Sequence, residues 1–159
     1  MMSSYEAVVE VPKGSCAIYD LERDGTLVFD RWSHHPFPAD YGSILDTLAP
    51  DGDRVDVIII ASSALALGEA VQVRPIAVLN MDDRDEADDK VVAVVSGDAA
   101  LEGVLSMDDS HGLTAQCIED FLYTVKSAAG HAISFNGWGG PEAAESLILA
   151  AKERHLARA

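Results

Sequence analysis

The first two-thirds of the chain is cut into short β-branched runs by turn residues and acidic clusters. That punctuation constrains the fold more than any other feature. Residues 5–11 alternate, with Ala7, Val9 and Val11 on one face and Glu6, Val8 and Glu10 on the other. Residues 17–22 and 26–31 flank Asp24-Gly25, a dipeptide that tolerates the positive φ of a tight hairpin turn. Residues 55–60, 70–74, 76–79 and 91–95 are further strand-like runs, and 132–135 is a weaker one. Two helical patterns come late. Cys117, Ile118, Phe121, Leu122 and Val125 recur at helical spacing behind Thr114, an N-cap candidate. Pro141 is well placed at a first helical position, with Ala144, Leu147, Ile148 and Ala151 as the buried stripe behind it. Gly137-Trp138-Gly139-Gly140 reads as the turn entering that helix. The expectation is a mainly β (α+β) chain: a small β-barrel with two C-terminal helices packed outside.

At 159 residues the chain suits one domain, residues 1–159, with no linker or repeat to divide it. It carries 27 acidic against 11 basic residues, a net charge of −16. That disfavours a nucleic-acid partner, because phosphate neutralisation needs Lys and Arg. It equally disfavours an anionic membrane surface. The most apolar stretch, residues 57–67, is interrupted by Ser62 and Ser63 and falls short of the ~20 residues that span a bilayer. No basic flank precedes an apolar core at the N-terminus, so no signal peptide is expected and the cytoplasm is the default compartment. Cys16 and Cys117 are isolated and read as buried small apolar residues.

The acidity is clustered. Asp51-Gly52-Asp53-Arg54-Val55-Asp56 runs into one apolar strand, and Asp82-Asp83-Arg84-Asp85-Glu86-Ala87-Asp88-Asp89 lies between two others. A solvated loop explains most charge runs. Here Asp56 is in phase with Ile58 and Ile60, where a carboxylate is costly to bury without a partner. Clustered hard oxygen ligands suit Mg²⁺, Mn²⁺ or Ca²⁺ over Zn²⁺. An EF-hand is excluded, since the twelfth position from Asp51 is Ser62 and not Glu.

A series of short motifs completes the reading: Val9-Glu10-Val11-Pro12-Lys13-Gly14-Ser15, Asp30-Arg31, Pro38-Ala39-Asp40-Tyr41-Gly42, Asp51-Gly52-Asp53-Arg54-Val55-Asp56-Val57, Val73-Arg74-Pro75-Ile76, Asp88-Asp89-Lys90 and Gly137-Trp138. In this order, over roughly residues 8–152, the chain resembles the soluble magnesium-dependent inorganic pyrophosphatases. The resemblance implies an OB-like five-stranded barrel with two helices, assembled as a homo-oligomer, a hexamer in bacterial members. It implies Asp51, Asp56, Asp83 and Asp88 as metal carboxylates, Glu10 as an outer acidic ligand, and Asp53 as the carboxylate that helps deprotonate the attacking water. Arg31, Tyr41 and Lys90 match phosphate-contacting positions. The implied cofactor is Mg²⁺, with Mn²⁺ as the alternative, and the implied substrate is diphosphate or a related phosphate.

The remainder of the phosphate cradle departs from the family pattern. Its lysine aligns with Ile18, its glutamate with Asp20, its tyrosine with Phe37, and the acid beside Asp83 with Arg84. Its late Tyr-Lys pair aligns with Thr124 and Val125; Lys126 replaces the lysine only if the register shifts. Ile18, Asp20, Trp32, His34, His35, Phe37 and Val125 are therefore candidate substrate-rim residues. Trp32 reads foremost as packing, and the three histidines His34, His35 and His131 as surface or hydrogen-bonded side chains. Three functions remain open on sequence: a phosphoanhydride hydrolase with weakened substrate handling, a metal-dependent enzyme acting on an organic phosphate or other oxygen-rich ligand, and a non-catalytic homologue.

Overall fold

The computed structural model describes residues 3–109 and 112–158; the domain bounds expected at residues 1 and 159 fall outside them. In chain order the strands are β1 (Tyr5–Val11), β2 (Ala17–Leu21), β3 (Leu27–Trp32), β4 (Asp40–Ile44), β5 (Val55–Ile60), β6 (Ala70–Asp83), β7 (Glu86–Ala87) and β8 (Lys90–Val95). A 3₁₀ turn (Ala99–Leu101), α1 (Ala115–Ala128), β9 (Ile133–Gly139) and α2 (Pro141–Arg158) follow.

The sheet closes on itself. β1 pairs with β4, β4 with β5, β5 with β8 and β8 with β6, and β6 returns to β1. Only β5–β8 is parallel in this ring, and it sets Asp56 opposite Lys90. The five strands form the expected OB-like closed sheet. β9 continues the sheet on β6, and β2–β3 stands apart as a two-stranded hairpin. Alternation along the strands sorts the core into two faces. Val57 and Ile59 pack with Val9, Val91 and Ala93 and with Ala144, Ile148 and Ala151 of α2. Ile58 and Ile60 pack with Leu79, Met81 and Val92 and with Ile118 and Leu122 of α1.

Several local expectations are corrected. The two runs 70–74 and 76–79 are one strand, because a register shift between Pro75 and Ala77 lets β6 pass the proline without ending. β4 carries no alternating signal. Its Gly42 is required because a Cβ there would lie 2.0 Å from the Val8 carbonyl oxygen, so the two strands approach only at a glycine. Gly137, Trp138 and Gly139 are strand residues opposite Asn80, Leu79 and Val78; only Gly140 belongs to the helix entry, where its carbonyl accepts from Ala144 N–H. Thr114 does cap α1, its hydroxyl accepting from Cys117 N–H at 3.1 Å, and α2 does begin at Pro141. Cys117 itself is exposed and Cys16 only half-buried, since the first turn of α1 turns Ile118, not Cys117, to the sheet. Among the described residues, no helix is long and apolar enough to cross a membrane.

Candidate active site

One end of the parallel pair holds the acidic cluster. Lys90 opens β8 and its side chain is only 3% exposed; its Nζ donates to Asp56 Oδ2 at 2.6 Å and to Asp88 Oδ1 at 2.9 Å. Lys126, in the last turn of α1, donates to Asp83 Oδ2 at 2.7 Å, with Asp88 Oδ2 at 3.4 Å. The buried carboxylate expected at Asp56 thus has an ammonium partner, supplied by strand register. Burial opposes the charge of Lys90, yet Asp56, Tyr41 and Asp88 raise its pKa well above the usual value. Asp56 is pushed up by burial and by Asp88, with Lys90 acting against both. Asp83 is lowered on balance: burial would raise it, but Lys126 and His131 overcome that. His131 Nδ1 lies 3.1 Å from the Asp83 carboxylate, and Arg84 Nε lies 3.3 Å from Oδ1. Asp83 Oδ1 is nevertheless buried without a hydrogen bond.

These groups border a cavity of about 840 Å³. Glu10, Asp53, Asp56, Tyr41, Lys90 and Lys126 line it from the sheet, the acidic loop and α1; Asp51, Asp83 and Asp88 are not among its lining residues. Ile18, Asp20, Arg31, Trp32, His34, Phe37 and Val125 line it from the hairpin, the loop after it and α1. His35 does not, because Ser33 Oγ accepts from its backbone N–H in a turn that leaves it exposed. Asp51 is exposed, and its Oδ1 accepts from Asp53 N–H at 3.0 Å. Asp53 is pushed up by burial, then by the charges of Asp51 and Asp88. Glu10 is 7% exposed and reaches about 7, chiefly through burial; Leu21 N–H at 2.7 Å and Ser43 O–H at 2.8 Å act against the rise. Tyr41 is raised well above its ordinary value, first by burial and then by Asp56, so its hydroxyl stays a donor. Trp32 is 70% exposed rather than packed; Phe29 is its ring neighbour at 5.3 Å. Arg31 is ion-paired to Asp30.

Three site residues carry no motif of their own. Ser43 steadies Glu10. Arg54 donates to the Leu21 and Glu22 carbonyls at 2.7 and 3.1 Å, fixing the hairpin against the acidic loop. His131 reaches Asp83 from the turn before β9. Arg54 was findable, since it lies inside the Asp51–Asp56 motif; the other two depend on distant pairing.

Among the described residues, no group of three or more His, Cys, Asp or Glu side chains is drawn together tightly enough to hold an ion unaided. The donor set still fits a hard divalent cation. The available ligands are carboxylate oxygens, one of them buried and without a hydrogen bond, and Mg²⁺ binds through one or two carboxylates while keeping several waters. A closed cage is not what such an ion requires.

Comparison with known proteins agrees with this geometry. A family model described as inorganic pyrophosphatase matches residues 7–156. An inorganic pyrophosphatase of Bradyrhizobium diazoefficiens is 39% identical over 154 residues, covering 92% of this chain and 86% of its own. One from Geobacillus stearothermophilus is 34% identical over 146 residues, covering 90% and 88%. The crystal structure of the inorganic pyrophosphatase from Thermus thermophilus superposes with a TM-score of 0.87 at 32% identity, covering 95% of this chain and 90% of that one. With the family model spanning nearly the whole length and the acidic cluster set at the end of the closed sheet, the chain belongs to the inorganic pyrophosphatase family.

Proposed function

We propose that this protein is a single-domain enzyme that hydrolyses inorganic diphosphate to two phosphates with Mg²⁺ as its metal. The observation that carries the reading is the convergence of Asp56, Asp83 and Asp88 from three strand ends beside a cavity lined by Asp53, Tyr41 and Lys90. Asp51, Asp56, Asp83 and Asp88 would hold the metal, with Glu10 as an outer acidic ligand. Bound there, a divalent metal lowers the pKa of water and neutralises charge on the phosphoryl oxygens.

The chain's own groups supply the rest. The pKa of Asp53 is raised by burial and its acidic neighbours, which strengthens it as an acceptor for the proton of the attacking water. Tyr41 keeps its hydroxyl proton and can donate to a phosphate oxygen. Lys90 fixes Asp56 and Asp88 while its positive charge faces the same cavity. Arg31 adds a guanidinium from the hairpin, partly neutralised by Asp30.

Phosphate release from diphosphate, followed with and without Mg²⁺, tests the reading. Asp53→Asn should lower the rate roughly 10²- to 10⁴-fold, the usual contribution of a positioned base, while Mg²⁺ still raises the thermal midpoint. A wild type that releases no phosphate with Mg²⁺ present would overturn it.

A further inference from the structure

We propose that Lys126 is the resident counter-cation of the Asp83–Asp88 pair and is exchanged for the divalent metal when the site loads. Metal binding and release of the Lys126 ammonium into the cavity are then one event. The proposal rests on the metal-assisted reading above and adds a device to it.

Two lysines hold the acidic cluster, but on different terms. Lys90 is 3% exposed, anchored at the start of a central strand, and gripped at 2.6 and 2.9 Å. Lys126 is 17% exposed, and its two contacts are unequal, 2.7 and 3.4 Å. It sits in the last turn of α1 and lines the cavity, so a rotation of its four-carbon stem carries the charge away without moving a strand. Its ammonium lies against Asp83 Oδ2 and Asp88 Oδ2, two of the oxygens a metal would need. Mg²⁺ takes carboxylate oxygen at roughly 2.0–2.1 Å. A bound ammonium and a metal therefore compete for the same oxygens, and their like charges repel.

The other oxygen of Asp83 points the same way. Oδ1, buried on a side chain 8% exposed, makes no hydrogen bond; its charge is met by His131 Nδ1 at 3.1 Å and Arg84 Nε at 3.3 Å and not by Lys126. His131 and Arg84 stay beside Asp83 when the lysine leaves. They preserve the carboxylate's position during the exchange. Lys126 also stands one residue beyond Val125, where the family pattern carries a lysine. Release into the cavity makes its charge available to a diphosphate.

Isothermal titration with Mg²⁺, in the absence of diphosphate, separates exchange from mere tethering of α1. Lys126→Gln removes the competitor and should tighten metal binding about tenfold, within the ordinary range of coupling between sites. Lys126→Arg keeps a cation on the same carboxylates and should bind metal much as wild type does. In wild-type protein, acetylation of Lys126 read by mass spectrometry should quicken severalfold at saturating Mg²⁺, with exposed Lys13 as the unchanged reference. Metal that binds Lys126→Gln no more tightly than wild type, or that leaves Lys126 acetylation unchanged, overturns the exchange. Wild-type protein that binds no Mg²⁺ overturns the metal reading itself, which is a distinguishable result.

Discussion

On the sheet side of the cavity, Lys90 and Lys126 each stand between two carboxylates. On the hairpin side, Ile18, Leu21 and Trp32 face the same space, and Arg31 is already paired with Asp30. The first wall commits its cations to acids of the protein; the second has few to offer. A small, highly charged anion bound between them must draw its compensation from whatever neutralises the acidic wall. That dependence follows from the side chains, because the hairpin can replace it only in part: Arg31 is held by Asp30, which leaves Arg23 at the hairpin turn.

The largest expected effect comes from breaking the acidic wall at its buried lysine. Lys90→Met leaves Asp56 and Asp88 without their ammonium in a poorly solvated place. Removing one partner of a buried ion pair costs about 3–5 kcal/mol. Urea denaturation of metal-free protein should show a loss of that size. Adding Asp56→Asn should recover part of it, since one stranded charge is then gone. A loss under about 1 kcal/mol would mean that solvent already screens this wall, and the contrast between the two walls would collapse.

Glu10 lies where the walls meet and sharpens the comparison through pH. Its carboxyl is held by neutral donors, the Leu21 N–H of the hairpin and the Ser43 O–H of β4. Its pKa rises from 4.5 to about 7, mainly by burial. A folded pKa above the unfolded one means that the fold prefers the protonated acid. The contribution is complete below pH ~4.5 and is lost as pH rises through about 7. A rise of that size corresponds to about 3 kcal/mol at most. Metal-free Glu10→Gln should therefore match wild type near pH 4 and be the more stable protein at pH 8. Equal stabilities at both pH values would show that Glu10 is solvated or has found a cation.

How much of this was legible in the sequence depends on the range of the interaction. β1 and β5 have the bounds that alternation and β-branching assign, and α1 and α2 start where Thr114 and Pro141 mark them. β4 was silent because its Gly42 answers to a carbonyl on another strand. Pro75 marked a break that a bulge absorbs. The acidic residues stood out in sequence, but their partners did not. Asp56 meets Lys90 through the register of a parallel pair 34 residues apart, and Asp83 meets Lys126 across 43. Local patterning holds no record of either distance. The family pattern puts its lysine at Val125, whereas the helix brings the next residue, Lys126, to the carboxylates.

The smallest effect tests whether the hairpin wall can be recharged. Ile18 is half-buried, lines the cavity and stands opposite Arg31 in the β2–β3 register. Ile18→Lys would place an ammonium where the family pattern has one. A charged hydrogen bond contributes about 1.5–3 kcal/mol, but two local terms reduce the gain. Arg31 opposite is a like charge, although Asp30 offsets it. Asp20 is a second claimant: burial and Asp30 raise its pKa, and a new cation would relieve it. The expected gain in kcat/KM for diphosphate is therefore about tenfold, the rate equivalent of 1.4 kcal/mol at the low end of that range. Ile18→Met, of similar length without charge, should give no gain. If Ile18→Lys is no faster than Ile18→Met while the Asp20 pKa falls, the lysine has been captured by the protein. The hairpin wall is then limited by its own acids, and adding Val125→Lys on the facing helix becomes the decisive variant. If both substitutions together leave the rate unchanged, the acidic wall alone governs substrate handling.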